Sequence, residues 1–517
     1  VSAKPSISLR SVGTCDYLDR TTATSYDAAG NVILTVDERD KPTFSAYDAL
    51  NRRIAQTDAL GNTTTTVFDA AGQATTTIDG RGFKTTYVYD LAGRQTNVID
   101  PLGARTTLAY DAANNRTAST DPTGKTTTVA YDALNRQIAV TDPDNHTTTT
   151  VYDDAGRTTN RIDALNHTTT FVYDAADRKI AVSDGRGATT TTQYDNGDNV
   201  TSVTDADGFT TTYQYDDDGL KTAAIDPQGH TYTYQYDLDN RLSQTTDRLG
   251  RVRQMQYDDD GRLTQEVWLQ GSTAVETLTY AYDEDGNLTQ AGNHLGTATF
   301  SYDEDSRLTG TTDPFGRSLA FTLDEDGNRL AVTDSLGGVL ESTYDGANRL
   351  TSRAFLEGAS TQLSYNLAWT ARGELAGLQR FADAAGTQPL GASSYVYDPV
   401  TNLNTSLTHY SGGTVALPFS GTALASFVYS YDSAQRLATE KDNGGATVTY
   451  QYDNANQVTA DNVTSYAWDN AGNRTNAGFS QGTNKGDQLA TDGTWNYGYD
   501  AEGNCQRSLQ TDPLAII

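Results

Sequence analysis

Cysteine, methionine, tryptophan and histidine are all scarce in this chain, at 2, 1, 4 and 5 of 517 residues. The two cysteines, Cys15 and Cys505, lie near opposite ends of the sequence. That excludes a disulfide framework and any CxxC motif. No apolar run approaches the length of a membrane-spanning helix. Val1–Arg20 lacks a basic segment followed by an apolar one, so no signal peptide is read there. Basic residues number 37 against 67 acidic ones, a net charge of −30 with a pI near 4.3. Such a field excludes binding to nucleic acid or an anionic membrane through overall charge. Only 36% of residues are hydrophobic, thin material for a compact core but adequate for a sheet that buries one face or a stripe. HExxH, GxSxG, P-loop and Rossmann fingerprints are all missing.

A strict period dominates what is there. Tyr26, Tyr47, Phe68, Tyr89, Tyr110, Tyr131, Tyr152, Tyr173, Tyr194, Tyr215, Tyr236 and Tyr257 are each followed by Asp, and every interval is 21 residues. A repeat of this length is one supersecondary unit copied and stacked. Two turn signals divide each unit. Four residues after the aromatic stands Gly, Asn or Asp, as at Gly30, Asn51, Gly72 and Asp177, all tolerant of positive φ. Eleven residues after it comes a second Asp, with Gly or Asn usually three further on: Asp58 with Gly61, Asp100 with Gly103, Asp121 with Gly124, Asp226 with Gly229. This pattern predicts a type I turn closed by a bulge residue.

Between the turns lie segments of six or seven residues rich in Thr, Val, Ile and Tyr, such as Gln137–Thr141 and Thr147–Val151. Turn chemistry every ten or eleven residues predicts an antiparallel meander; a parallel β-helix, the competing repeat, needs longer crossovers. The aromatics then form a stripe about 10 Å apart. Arg52, Arg94, Arg136, Arg157, Arg178, Arg241 and Arg262, five residues after the aromatic, are expected to pair with turn carboxylates. The regular array covers 1–267. A degenerate array with longer hairpins and loops covers 268–517, where Tyr282, Tyr302, Leu323, Tyr344, Tyr365, Tyr397, Tyr431, Tyr452, Trp468 and Tyr499 take the aromatic register and Ala368–Leu390 and Ser411–Ser426 read as long hairpins.

The unit Y-D-x-x-G-R…D-P-x-G-x-x-T, nearly whole in Tyr89–Thr106, resembles the YD repeat of Rhs proteins. Similar repeats belong to the C components of bacterial insecticidal toxin complexes, to wall-associated proteins and to teneurins. The resemblance implies an all-β fold: an antiparallel β-hairpin array forming a long twisted strip wound into a spiral hollow shell. It further implies a secreted or cell-surface scaffold, non-catalytic and without cofactors, that encloses or presents a cargo or toxin segment of a larger polypeptide. Its partner is then that segment, or a second copy of itself. Bacterial members precede the array with a plug domain and follow it with a variable toxin; neither pattern is read here. Of the family's closing segment, Arg507, Asp512 and Pro513 keep the spacing but the aromatic, Ser and Gly are missing. Self-cleavage is therefore not carried over, and an ordinary Asp-Pro turn is the preferred reading of this tail.

Alternatives are carried beside the shell. One is an extracellular fibre built head to tail, with Cys15 and Cys505 as an inter-subunit link. Another is glycan binding through the loops of 365–431 and Trp369. His146, His167 and His230 share one repeat position and read as turn-flanking surface residues, about 10 Å apart where consecutive, too far to share a metal. Asp283–Asn287 resembles a calcium loop but has Leu288 where an EF-hand requires Gly.

Overall fold

The computed structural model describes residues 10–15, 21–37, 40–358, 360–383, 386–412, 421–475, 479–481, 488–492, 495–500 and 505–510. Each regular repeat is a six-residue strand ending on the aromatic and a five-residue strand, as in Thr63–Phe68 with Ala74–Ile78. Sequential strands pair antiparallel: Thr65 faces Ile78, and Ile78 in turn faces Lys84 on the next strand. The result is one long antiparallel sheet that does not close. The meander is therefore the observed architecture, because both connections are tight turns.

The two turns lie on opposite edges of the strip. Turns that follow the aromatic form the YD edge, and the Asp-x-x-Gly/Asn turns form the DG edge. Both use the same hydrogen bonds. In the YD turn the Gly72 N–H donates to the Asp69 carbonyl at 3.1 Å and the Asp69 N–H to the Gln73 carbonyl at 2.9 Å. In the DG turn the Gly61 N–H donates to the Asp58 carbonyl, also at 3.1 Å. The Asp side chain adds a second layer: Asp69 Oδ1 accepts from the Ala71 and Gln73 N–H groups, each at 2.9 Å. One carboxylate thus satisfies two backbone donors of its own turn, which explains why the acidity is carried by Asp rather than Glu. The fourth residue has φ near +60° for Asn51, Asn135 and Asn240, a conformation Gly and Asn adopt at little cost. The register slips by one residue at each aromatic, as between Val67 and Phe68, so every YD turn carries a bulge.

In the later array the aromatic register departs from the expectation at one place. Tyr365 lies inside the strand Ser360–Trp369, paired with Arg380, and Trp369 takes the bulge position. The turn is Thr370–Gly373, where Thr370 replaces Asp. Ala368–Leu390 is therefore a continuation of the ladder: strand, YD turn, Leu375–Phe381, then a loop to Pro389. The reason is that the preceding hairpin is longer, which moves the bulge four residues on. Asp16 and Asp19 of the first register, Asp512 and Pro513 lie outside the described residues, as do the side chains of Cys15 and Arg507.

The chain divides into two compact units. One comprises 1–127, 279–400 and 406–426; the other comprises 128–278, 401–405 and 427–517. Each unit by itself contains an earlier and a later stretch of the strip, and its DG and YD edges position the side chains described next.

Candidate functional site

The repeat's side chains form a ladder in which each unit is fastened to its successor. In Tyr131–Tyr152 the Arg136 Nε donates to Asp132 Oδ2 of its own turn at 2.7 Å. Its Nη1 reaches the Asp153 carbonyl of the next turn at 3.3 Å. The same guanidinium stacks over the Tyr152 ring, 4.6 Å from its centroid. Arg52, Arg94, Arg157, Arg178 and Arg241 repeat this arrangement over Phe68, Tyr110, Tyr173, Tyr194 and Tyr257. Arg262 keeps the ion pair with Asp258, at 2.8 Å. The Arg94 guanidinium, then the Arg94 N–H, holds Asp90 below the ordinary carboxylate range. Such carboxylates favour the fold above pH ~3.9, the ordinary Asp value, and that contribution is lost as pH falls through the folded value.

Each tyrosine hydroxyl completes the ladder in the opposite direction. Tyr110 Oη donates to the Gln95 carbonyl and Tyr152 Oη to the Gln137 carbonyl, each at 2.9 Å. Tyr89, Tyr173, Tyr194, Tyr215, Tyr236 and Tyr257 do the same fifteen residues back. Tyr26, Tyr47, Tyr131 and Phe68 end their strands at the same bulge. Trp369 and Trp468 substitute an indole N–H, donated to the Leu350 and Val458 carbonyls at 2.8 and 2.7 Å. Trp369 is thus a ladder residue, with Arg349 over its ring. The hydroxyl's role was not read from the sequence; the near-exclusive choice of Tyr over Phe was the available signal. We expect Tyr215→Phe, which keeps the ring, to cost about 1 kcal/mol through the unpaired Val200 carbonyl. Urea unfolding of the two forms measures it.

The second constellation is a seam within each unit, where DG turns of the earlier stretch insert between YD turns of the later one. In the first unit Arg81, from the Asp79 turn, pairs with Asp326 at 2.7 Å and Asp324 at 3.4 Å. It also donates to the Asp345 carbonyl at 2.9 Å and to Asn348 Oδ1. Its own side chain is 11% exposed, that of Asp324 6%. Lys41 meets Glu304 at 3.1 Å, and Arg372 meets Asp121 at 2.5 Å and Thr123 at 3.0 Å. In the second unit Arg186 bridges two YD turns, donating to Gln457 Oε1 at 2.7 Å and to the Asp469 carbonyl at 3.1 Å. Asp207 accepts from the Asn470 and Ala471 N–H groups at 3.1 and 3.2 Å, and Gln435 donates to Asp142 at 3.2 Å. These bonds join residues 245 to 293 apart in sequence, about a dozen repeats. The turn residues Asp58, Gly61, Asp100, Gly103, Asp121, Gly124, Asp226 and Gly229 all occupy the DG edge.

The histidines occupy the DG position that Arg holds on the YD edge. His146, His167 and His230 place Nδ1 at 3.1, 3.0 and 3.1 Å from the Asp142, Asp163 and Asp226 carboxylates. A polar cleft of about 480 Å³ in the second unit is lined by His167, Arg161 and Asn454 among others. Asp283–Asn287 is an ordinary YD turn. Among the described residues no three His, Cys, Asp or Glu side chains group to hold a metal. Ser393 Oγ lies 2.8 Å from His409 Nδ1, a pair the sequence did not suggest. Ser393 is fully buried and also accepts from Arg380, so a substrate has no route to it. Cys505 is exposed and in no disulfide. No helix among the described residues is long and apolar enough to cross a membrane.

Interlocked turns and a tyrosine–arginine ladder define a repeat-strip protein whose recurrent residues serve its own architecture. The RHS Repeat model matches residues 47–148, 152–267, 282–318 and 431–461, more than half of the chain, and the chain belongs to that family. No curated protein matches it by sequence. Among solved structures, the crystal structure of TcdB2-TccC3-Cdc42 superimposes with a TM-score of 0.70 at 12% identity over 95% of this chain. TcdB2-TccC3 without its hypervariable C-terminal region gives 0.70 at 13% over 96%. These share the fold, that of the Tc toxin shell proteins. The chain spans 38% of the length of either protein.

Proposed function

We propose that this chain forms part of a secreted or cell-surface shell that encloses or presents a cargo segment of a larger polypeptide, and does no chemistry of its own. The seam is the observation that carries the reading. A strip that only had to extend would need the ladder alone. Here successive laps are locked to one another by Arg81, Arg186 and Arg372, which is what a continuous wall requires. The similarity to TcdB2-TccC3 supports the same reading at the level of fold. The turn carboxylates and tyrosines are occupied by the wall's own hydrogen bonds, which supports a scaffold over an enzyme. The test is co-expression of the natural full-length polypeptide followed by limited proteolysis. A shell protects a segment outside the repeats until the wall is denatured. Cleavage of every such segment at the rate of a free peptide contradicts enclosure.

A further inference from the structure

Ladder arginines recur along the YD edge, but not in every unit. A complete rung makes three contacts. Arg94 pairs with Asp90 of its own turn at 2.8 Å, donates to the Asp111 carbonyl of the next turn at 2.7 Å, and reaches the αL residue of that turn, Asn114, at 3.2 Å. In the first unit Asn328 stands where the arginine belongs. Its Nδ2 reaches Asp324 Oδ2 at 2.9 Å and Asn348 Oδ1 at 2.8 Å, and the side chain is too short to span to the Asp345 carbonyl. Arg81 makes the three contacts instead: Asp324 at 3.4 Å, the Asp345 carbonyl at 2.9 Å, and Asn348 Oδ1. In the second unit Gln457 holds the arginine position. There Arg186 lies 3.6 Å from Asp453, donates to the Asp469 carbonyl at 3.1 Å and to Gln457 Oε1 at 2.7 Å.

We propose that Arg81 and Arg186 are ladder arginines supplied in trans: each completes, from a DG turn of the earlier stretch, the rung that Asn328 or Gln457 leaves short, and this matching sets which turns seat against each other. The flanking repeats carry the complementary pattern. One repeat before and after Arg81 the same turn position holds Leu60 and Leu102, and one repeat before and after Asn328 the ladder position holds Arg307 and Arg349. Those two arginines already occupy the Asp324 and Thr370 carbonyls, at 3.0 and 3.2 Å. One repeat before Arg186 stands Leu165, and one repeat before Gln457 stands Arg436, on the Asp453 carbonyl at 3.4 Å. A second guanidinium at an occupied carbonyl would set like charges together, so leucine suits the intact rungs. The quartet Asp-Gly-Arg-Gly occurs only at 79–82 and 184–187. Its first glycine lets the turn approach closely: a Cβ on Gly185 would overlap the Asn454 carbonyl oxygen, and one on Gly80 would lie 3.2 Å from Glu325 Cβ. Its arginine carries the planar fork that reaches a carboxylate and a carbonyl at once. Where Glu374 replaces the ladder arginine the sense reverses, and Arg372 of the YD turn joins Asp121 to the Pro399 carbonyl, the latter at 2.7 Å. The matching concerns the strip alone and holds whether or not a cargo is enclosed.

Thermal unfolding of the full chain, with single and paired substitutions, tests the matching. Arg81→Ala and Arg186→Ala should each lower the melting temperature by several degrees. Asn328→Arg added to Arg81→Ala returns the rung from within the later stretch and should recover most of the loss, as should Gln457→Arg added to Arg186→Ala. The crossed pairs, Arg81→Ala with Gln457→Arg and Arg186→Ala with Asn328→Arg, should recover none of it. Amide hydrogen exchange reads the same result locally, at Asn348, whose N–H donates to the Asp345 carbonyl, and at Gly472, whose N–H donates to the Asp469 carbonyl. Where a single variant does not fold, folded protein regained in the matched pair alone counts as recovery. Equal recovery in matched and crossed pairs would show a general effect of positive charge on an acidic chain and overturns the proposal. So do matched pairs that are no more stable than the single variants.

Discussion

Phe381→Ala is expected to destabilise the first unit by about 3–5 kcal/mol. Phe381 has no exposure at all, and few side chains in this thin sheet are buried so completely. It ends the strand Leu375–Phe381 and faces Ser364 and Pro389 on its neighbours. Gly386 passes over its ring, so closely that a Cβ there would lie 3.7 Å from Cζ. Ala392, Ser393 and Gln379 share the burial, and Ser364 Oγ donates to the Asp383 carbonyl. The loop after Phe381 thus covers one face of the sheet and makes a small core where the repeats make only a stripe. Truncating the ring leaves a cavity that rigid strands cannot collapse into. Urea unfolding followed by tryptophan fluorescence reads the loss, since Trp369 ends the adjacent strand. Val463→Ala, at a residue 90% exposed, should change stability by less than about 0.5 kcal/mol.

Arg81→Ala should cost about 3 kcal/mol at neutral pH, and less in mild acid. The substitution removes the one cation among Asp79, Asp324 and Asp326 and leaves their charges facing each other. Breaking a buried pair costs more than the pair contributes, because the stranded charges keep their desolvation penalty. Burial, then the neighbouring Asp326, raises Asp79 above the ordinary carboxylate range, so the deficit should shrink as pH falls through that raised value. Arg81→Lys restores one charge but not the fork that reaches Asp326, the Asp345 carbonyl and Asn348 together, so partial recovery is expected. Thermal unfolding of the three proteins at neutral pH and in acid gives the comparison. A deficit for Arg81→Ala that is the same at both would contradict the account of this cluster.

The ladder was legible in the sequence because it is local. Asp, the αL residue, Arg and Tyr recur at fixed offsets, and each offset implies its own bond: Asp90 to the Arg94 side chain, the αL Gly93 N–H to the Asp90 carbonyl. What the offsets concealed was reach. Arg94 also spans seventeen residues to the Asp111 carbonyl, and Tyr110 spans fifteen back to the Gln95 carbonyl, distances set by sheet stacking rather than by turn chemistry. The seam was illegible for a further reason. Arg81, Arg186 and Arg372 occupy turn tips, where any polar residue suits a solvated loop, and their partners lie about a dozen repeats away. Only the number of intervening repeats brings the Asp79 turn's Arg81 against Asp326, and twist per strand is too small and variable to sum from sequence. The Trp369 register failed because a longer hairpin displaced the bulge while leaving Tyr365 at the period's nominal spacing.

The lap joint can be tested directly by a disulfide between Gly80→Cys and Glu325→Cys in a chain with Cys15 and Cys505 replaced by Ser. Gly80 is a DG-edge residue of the earlier lap and Glu325 a YD-edge residue of the later one. A Cβ built on Gly80 lies 3.2 Å from the Glu325 Cβ, close to the range that a disulfide bridges. Mild oxidation should give a monomeric species of increased mobility on non-reducing electrophoresis, reverting on reduction. A chain that stays uncrosslinked, or that links only between molecules, would show that the strip does not return onto itself at this interval.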